Sequence, residues 1–384
     1  IFTMFSDIIH LIREIYPEKK NVTLHEPVFI RNEKKYINNC IDSTFVSSVG
    51  EYVDKFEKSI SSYTGIPFSV ACVNGTSALH AALVLCDVKP NDEVLTQALT
   101  FVATANAISY CYAHPVFIDS DKDRLGMSAE SLEQFLHEFA EVRQVSLCYN
   151  KKTGRMIKAC VPMHVFGHPV DIDLIAILCE RYHIRLIEDC AESLGSWYKG
   201  KHTGSQSWIS VLSFNGNKTV TTGGGGMLMM SDDLLAKKAK HLTTTAKVPH
   251  SWEFFHDQIG YNSRLPNLQA ALGLAQMEYL QEVLESKRIV ADIYRDFFKK
   301  KGIQFVDEPF DSKSNFWLNS ILLENKSDRD LFLNETNSNN VMTRPVWALM
   351  PEMPHFSSCQ TTNLSQAVSI RDRLVNLPSS CRLR

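Results

Sequence analysis

Lys218 is the residue of this chain whose surroundings most invite chemistry. It follows an apolar run, residues 209–214, and sits in Ser213-Phe214-Asn215-Gly216-Asn217-Lys218-Thr219, ahead of Thr221, Thr222 and the glycines Gly223, Gly224, Gly225 and Gly226. Small and hydroxyl-bearing neighbours let a ligand approach the backbone closely. A lysine desolvated at such a place loses its proton and attacks a carbonyl carbon to form a Schiff base. The same segment also reads as an exposed loop lysine beside a glycine turn. Two other glycine chemistries are excluded by residue order. A phosphate loop needs Gly-Lys-Ser/Thr where this chain has Gly216-Asn217-Lys218, and a dinucleotide fingerprint puts its glycines before a helix rather than before the strand-like residues 227–230. Neither an ATPase nor a nicotinamide enzyme is supported.

A second segment, Arg185-Leu186-Ile187-Glu188-Asp189-Cys190-Ala191-Glu192, delivers carboxylates at the end of an apolar strand. An aspartate there can keep a heterocyclic nitrogen protonated, because the anion favours the charged form of the ring. Asp189 also reads as a helix cap or a metal ligand, while Glu188 is expected to point the other way along the strand. A third segment, Val73-Asn74-Gly75-Thr76-Ser77-Ala78-Leu79, joins a strand to a helix through a tight turn. Amide groups at a helix start bind phosphate, and Thr76 and Ser77 add hydroxyls; plain helix capping is the competing reading. Phe101, after residues 93–99, offers either a flat ring to a planar ligand or another core aromatic. A phosphate cup, an aromatic plate, an acid for a ring nitrogen and a lysine, each at a strand end, together describe a site for pyridoxal 5′-phosphate.

At this point a resemblance is evident. Asn74-Gly75-Thr76-Ser77-Ala78-Leu79, Thr100-Phe101-Val102-Ala103-Thr104, Glu188-Asp189, Ser213-Phe214 with Lys218, the four glycines, and Gly260-Tyr261-Asn262-Ser263-Arg264 look like the DegT/DnrJ-type sugar aminotransferases, over nearly the whole chain. The resemblance implies the fold-type I aminotransferase architecture, α/β, working as a homodimer with sites at the subunit interface. It makes Lys218 the Schiff-base lysine and proton-transfer base, pairs Asp189 with the pyridine nitrogen, stacks Phe101 on the ring, and gives the phosphate to Thr76, Ser77 and Ser213. It sends Asn262 to the neighbouring subunit's phosphate and puts Arg264 near an anionic substrate, with an interface ion pair as the other reading of Arg264. Position 192 carries glutamine or histidine across the wider family, against the phenolic oxygen of the cofactor; Glu192 changes the charge there. His164 reads as a satisfied core histidine, and Asn319 replaces a family histidine, so that strand is assigned no catalytic part.

The stretches 25–29, 43–50 and 343–347 look like the subgroup that makes 4-amino sugars for legionaminic-type nonulosonic acids. For that subgroup the acceptor is UDP-linked 4-keto-6-deoxy-N-acetylglucosamine and the donor is L-glutamate. Two alternatives remain: a sugar dehydratase of the same fold, which carries histidine where Lys218 stands, and an inactive binding or regulatory protein of that fold.

The elements that must position these residues follow from periodicity. Apolar runs at 69–73, 93–99, 115–118, 159–165, 185–187, 209–214 and 227–230 alternate with helical patterns such as 77–85 and 173–182, which predicts a largely parallel sheet covered on both faces. Such sheets bind ligands at the carboxyl ends of their strands. Residues 1–30 are expected to form an N-terminal helix and arm, 31–265 the large domain, 266–300 one long connecting helix, and 301–384 a small α+β domain with strands at 315–323 and 340–344. Residues 377–384 read as extended and unsettled, and a chain that begins with Ile1 is expected to lack or to have lost residues. Charged side chains nearly balance, 40 Lys and Arg against 43 Asp and Glu, so no basic field marks a nucleic-acid partner. No run of 18 apolar residues predicts a membrane span. The ten cysteines include no Cys-x-x-Cys pair and read as reduced thiols of a cytoplasmic protein, with no metal site expected.

Overall fold

The structure, a computed structural model, describes residues 5–143 and 146–383. At its centre lies a seven-stranded sheet of β1 (Phe68–Cys72), β2 (Glu93–Gln97), β3 (His114–Ile118), β4 (Ile157–Val161), β5 (Arg185–Asp189), β6 (Ile209–Ser213) and β7 (Gly226–Met230), in the spatial order β1-β7-β6-β5-β4-β2-β3. β7 runs antiparallel to β1 and β6, and the remaining pairs are parallel. Each strand is apolar on both faces because helices cover both. Three helices lead into the sheet, α1 (Ser6–Ile15), α2 (Glu33–Asp42) and α3 (Glu51–Thr64); α4 (Gly75–Leu85), α5 (Val102–Tyr110), α6 (Ala129–Phe139) and α7 (Ile172–Arg181) lie between its strands, and α8 (Asp233–Thr243) follows β7. Successive residues serve opposite faces: Val94, Val211 and Leu228 pack under α4, α5 and α8. Their neighbours Leu212 and Met227 pack under α3 and Leu95 under α6 and α7.

The chain then forms α9 (Asn267–Met277) and α10 (Leu280–Lys301), not the single long helix expected. Tyr279 breaks it, with φ −129° and ψ 19°. The break carries no glycine or proline, so periodicity reads straight through it. What holds it is tertiary: the Tyr279 hydroxyl bonds to the buried Glu33 carboxylate and reaches the Val28 carbonyl at 2.8 Å, and Gln276 donates to the same two groups.

A second sheet follows, β8 (Gln304–Phe305), β9 (Asn319–Leu322), β10 (Arg344–Pro345) and β11 (Leu374–Leu377), antiparallel in the order β8-β9-β11-β10, with α11 (Lys326–Ser338) and α12 (Ser365–Arg373) beside it. Of the two strands expected here, 315–323 is shortened to Asn319–Leu322, while 340–344 is not a strand as such: Val341 makes an isolated bridge to Val22 and the strand is Arg344–Pro345. α1 and the residue before it lay Phe5, Ile8, Ile12 and Ile15 against Tyr294 and Phe298 of α10 and Val375 and Leu377 of β11. The segment after β11 is not unsettled. Tyr294 and Tyr16 donate to the carbonyls of Pro378 and Ser380, both at 2.9 Å, and buried Lys287 donates to that of Ser379 at 2.6 Å. These partners come from distant elements, which is why local composition misses the order; Arg384 lies outside the described residues. Among the described residues no helix is long and apolar enough to cross a membrane.

Candidate active site

The six strands other than β7 run in one direction and end on one side of the sheet, and β7, running backwards, begins there. Their ends surround a cavity of about 330 Å³ lined by Asn74, Gly75, Thr76, Phe101, Thr104, Asp189, Glu192, Ser213, Lys218, Trp317 and Trp347, among others.

The turn after β1 shapes one end. Asn74 caps α4, its side chain accepting the Ser77 N–H at 2.7 Å. Close approach accounts for two glycines: a Cβ on Gly226 would come within 2.5 Å of the Asn74 carbonyl oxygen, and one on Gly75 within 3.0 Å of the Ser213 side chain. β7 can therefore lie against the turn only without a side chain at position 226.

β5 carries Asp189 into the cavity wall, where it is buried. Its Oδ2 accepts the Thr104 hydroxyl at 2.8 Å and its Oδ1 the Ala191 N–H at 3.1 Å. Burial raises the Asp189 carboxyl above its ordinary value, and the Thr104 hydroxyl is the chief influence opposing the rise. Glu188 points to the other face, as expected. It accepts the N–H groups of Gly204 (2.9 Å) and Gln206 (3.2 Å) and pairs with His164 at 3.0 Å. His164 Nδ1 accepts the Val170 N–H, so its proton sits on Nε2, toward Glu188; both ring nitrogens are engaged in the core.

Lys218 follows β6 by a short loop and turns its amine back into the cavity. Nζ lies 3.0 Å from Oε1 of buried Glu192 and 3.8 Å from the centroid of the Trp317 ring. Phe101 sits at the mouth, 48% exposed, edge-on to Trp347 with ring centroids 6.0 Å apart.

The sequence-predicted residues Lys218, Asp189, Thr76, Phe101, Glu192 and Ser213 thus converge on one cavity. Ser77, Asn262 and Arg264 do not line it. The Ser77 amide is used by Asn74, Asn262 is exposed, and Arg264 reaches only the Thr245 hydroxyl, at 3.4 Å, with its buried Nε unpartnered. Thr104, Trp317 and Asn217 carry no role in the sequence reading. Thr104 had a detectable signal, a hydroxyl on the turn after Phe101; Trp317 had none, being 100 residues beyond the Asn217 carbonyl that its indole N–H meets at 2.7 Å.

The donor set fits pyridoxal 5′-phosphate: a side-chain amine for an aldehyde, a buried carboxylate for a ring nitrogen, and at the glycine-narrowed end the hydroxyls of Thr76 and Ser213 for a phosphate. Comparisons agree. The family model for DegT/DnrJ/EryC1/StrS aminotransferases matches residues 28–384. GDP-perosamine synthase of Escherichia coli O157:H7 is 36% identical over 361 residues, covering 94% of this chain and 93% of that protein. GDP-perosamine synthase of Caulobacter vibrioides is 34% identical over 367 residues, covering 94% of each. The solved aminotransferase TlmJ of Streptoalloteichus hindustanus superposes with a TM-score of 0.84 at 25% identity, over 94% of this chain and 93% of that one. The chain belongs to the DegT/DnrJ/EryC1/StrS aminotransferase family, whose cofactor is pyridoxal phosphate.

Proposed function

We propose that this enzyme moves the amino group of L-glutamate to carbon 4 of a nucleotide-linked 4-keto-6-deoxy sugar. The observation that carries the reading is the Lys218 amine held in the same cavity as buried Asp189. When bound, the cofactor supplies an aldehyde to receive the amine and a ring that draws electrons from the adjacent carbon. The chain does the rest. Asp189 would keep a proton on the ring nitrogen; Thr76 and Ser213 would hold the phosphate; Lys218 would take up and return a proton at its Nζ; Phe101 and Trp347 wall the mouth against water. Arg264, outside the cavity in the single chain and with its buried Nε unpartnered among the described residues, is assigned to a substrate anion, an interface ion pair being the other reading.

For the acceptor, the stretches 25–29, 43–50 and 343–347 favour UDP-linked 4-keto-6-deoxy-N-acetylglucosamine. The names of the two relatives favour a GDP-linked sugar as a second reading. We also propose a homodimer. Exposed Trp252, Phe254, Phe255 and Ile259 form an apolar run beside exposed Asn262, which suits a residue that serves a neighbouring subunit. The unpaired cysteines, mostly buried, support a reducing, cytoplasmic setting.

Borohydride reduction of the cofactor-loaded protein, followed by peptide mapping, should place the label on Lys218, and Lys218→Ala should abolish transfer. Label on another lysine overturns the assignment. Turnover on a panel of UDP-, GDP- and dTDP-linked keto sugars with glutamate identifies the acceptor.

A further inference from the structure

The Lys218 amine rests in a seat with two walls. On one side Oε1 of Glu192 lies 3.0 Å away, while Oε2 accepts the Phe166 N–H at 2.9 Å. On the other, the Trp317 ring faces it at 3.8 Å. The walls are joined. Trp317 donates its backbone N–H to Asn315 Oδ1 at 2.8 Å, and the Asn315 amide donates to the carbonyls of Glu192 and Leu194, both at 2.9 Å. The Trp317 carbonyl accepts from buried Lys287 at 3.2 Å.

A carboxylate and an indole face suit an ammonium. They do not suit a neutral nitrogen, because Glu192 would then be a buried anion with its cation gone and Asp189 close by. Burial raises the Glu192 carboxyl above its ordinary value, Lys218 is the main influence lowering it, and Asp189 adds to the rise. From the side of the second sheet, Lys287 on α10 and His25 in the N-terminal arm are the charged or titratable groups near the amine. Lys287 bonds to the Trp317 carbonyl and the His25 ring lies 6.5 Å from the Trp317 ring, while Glu192 is the acceptor at hydrogen-bond distance from the amine.

Resting on the reading that Lys218 bonds to the cofactor aldehyde, we infer that Glu192 is the proton acceptor for Lys218, its counter-ion when the amine is free and a neutral acid when the amine is bonded. The exchange balances. Ammonium, carboxylate and aldehyde become a carbon–nitrogen double bond, a carboxylic acid and one water; two ammonium protons leave with the aldehyde oxygen and the third passes to Glu192. No electrons are gained or lost, and release of the lysine reverses each change.

The test is cofactor affinity of the full-length apoprotein against pH, wild type beside Glu192→Gln. In the wild type the proton stays in the site. In Glu192→Gln it goes to solvent, so while the free amine is charged the affinity of the variant should rise by an extra factor of about ten for each unit by which the pH is raised. Ionisation of the cofactor's phosphate and ring is common to both proteins and cancels. Infrared difference spectra, loaded minus apo, should show a protonated-carboxyl band that Glu192→Gln lacks. Equal pH slopes overturn the inference, as does a carboxyl band that survives in Glu192→Gln. Borohydride labelling of both proteins separates the two levels: label away from Lys218 removes the functional reading, whereas label on Lys218 with equal slopes removes only the role of Glu192.

Discussion

Asp189 depends on a neighbour that sequence reading leaves unassigned. The Thr104 hydroxyl opposes the burial that raises the Asp189 carboxyl. Thr104→Val removes that donor, so Asp189 takes a proton at higher pH and would lose the hold on a ring nitrogen proposed for it. The expected outcome is cofactor affinity about tenfold weaker, roughly 1.5 kcal/mol, with the acid limb of the binding curve shifted upward in pH; fluorescence titration across pH measures both. Lys218, Asp189, Thr76, Phe101 and Ser213 were legible from sequence as candidates because each ends or follows a strand, and strand ends in such a sheet share one rim. Trp317 was not, since it reaches the site from a loop that only the packing of the second sheet brings near. The Ser77 amide belongs to the Asn74 cap.

At the scale of elements, the seven apolar runs became the seven strands of the large sheet, because runs covered on both faces need no alternation to be recognised. The helix pair α9–α10 shows the opposite case. Its heptad-like spacing continues through Glu278 and Tyr279, and the break is decided by Glu33, which belongs to α2. Tyr279→Phe leaves that buried carboxylate with one donor fewer. Urea unfolding should show a loss of about 1 to 3 kcal/mol, and an unchanged midpoint would mean that the hydroxyl does not hold the break.

For the whole molecule, two histidines link stability to pH. His168 and His202 are buried, and burial pushes both down to about 4. A depressed folded-state value means that each contributes stability above the ordinary value of 6.5, lost as pH falls toward about 4, on the order of 3 kcal/mol apiece. Among the described residues neither nitrogen of His168 has a hydrogen-bond partner, and its ring packs edge-on against Phe316. His168→Leu should therefore melt with a shallower fall between pH 7 and pH 5 than the wild type, by calorimetry; parallel curves would refute this. The proposed dimer is tested by sedimentation. Trp252→Ser with Phe255→Glu should yield monomers with an unchanged monomer fold, because both side chains are more than half exposed in the single chain.

Periodicity determined the sheet, since a chain of this composition must pattern its apolar residues to bury its strands, and the residue types at the strand ends pointed to the cofactor and to Lys218 as the candidate lysine. The tertiary structure alone decided the partners of those residues: Thr104 on Asp189, Trp317 and Glu192 on Lys218, Glu33 on the helix break. Such pairings are set by side chains that meet only after distant elements pack, and no local spacing encodes a contact across 100 residues.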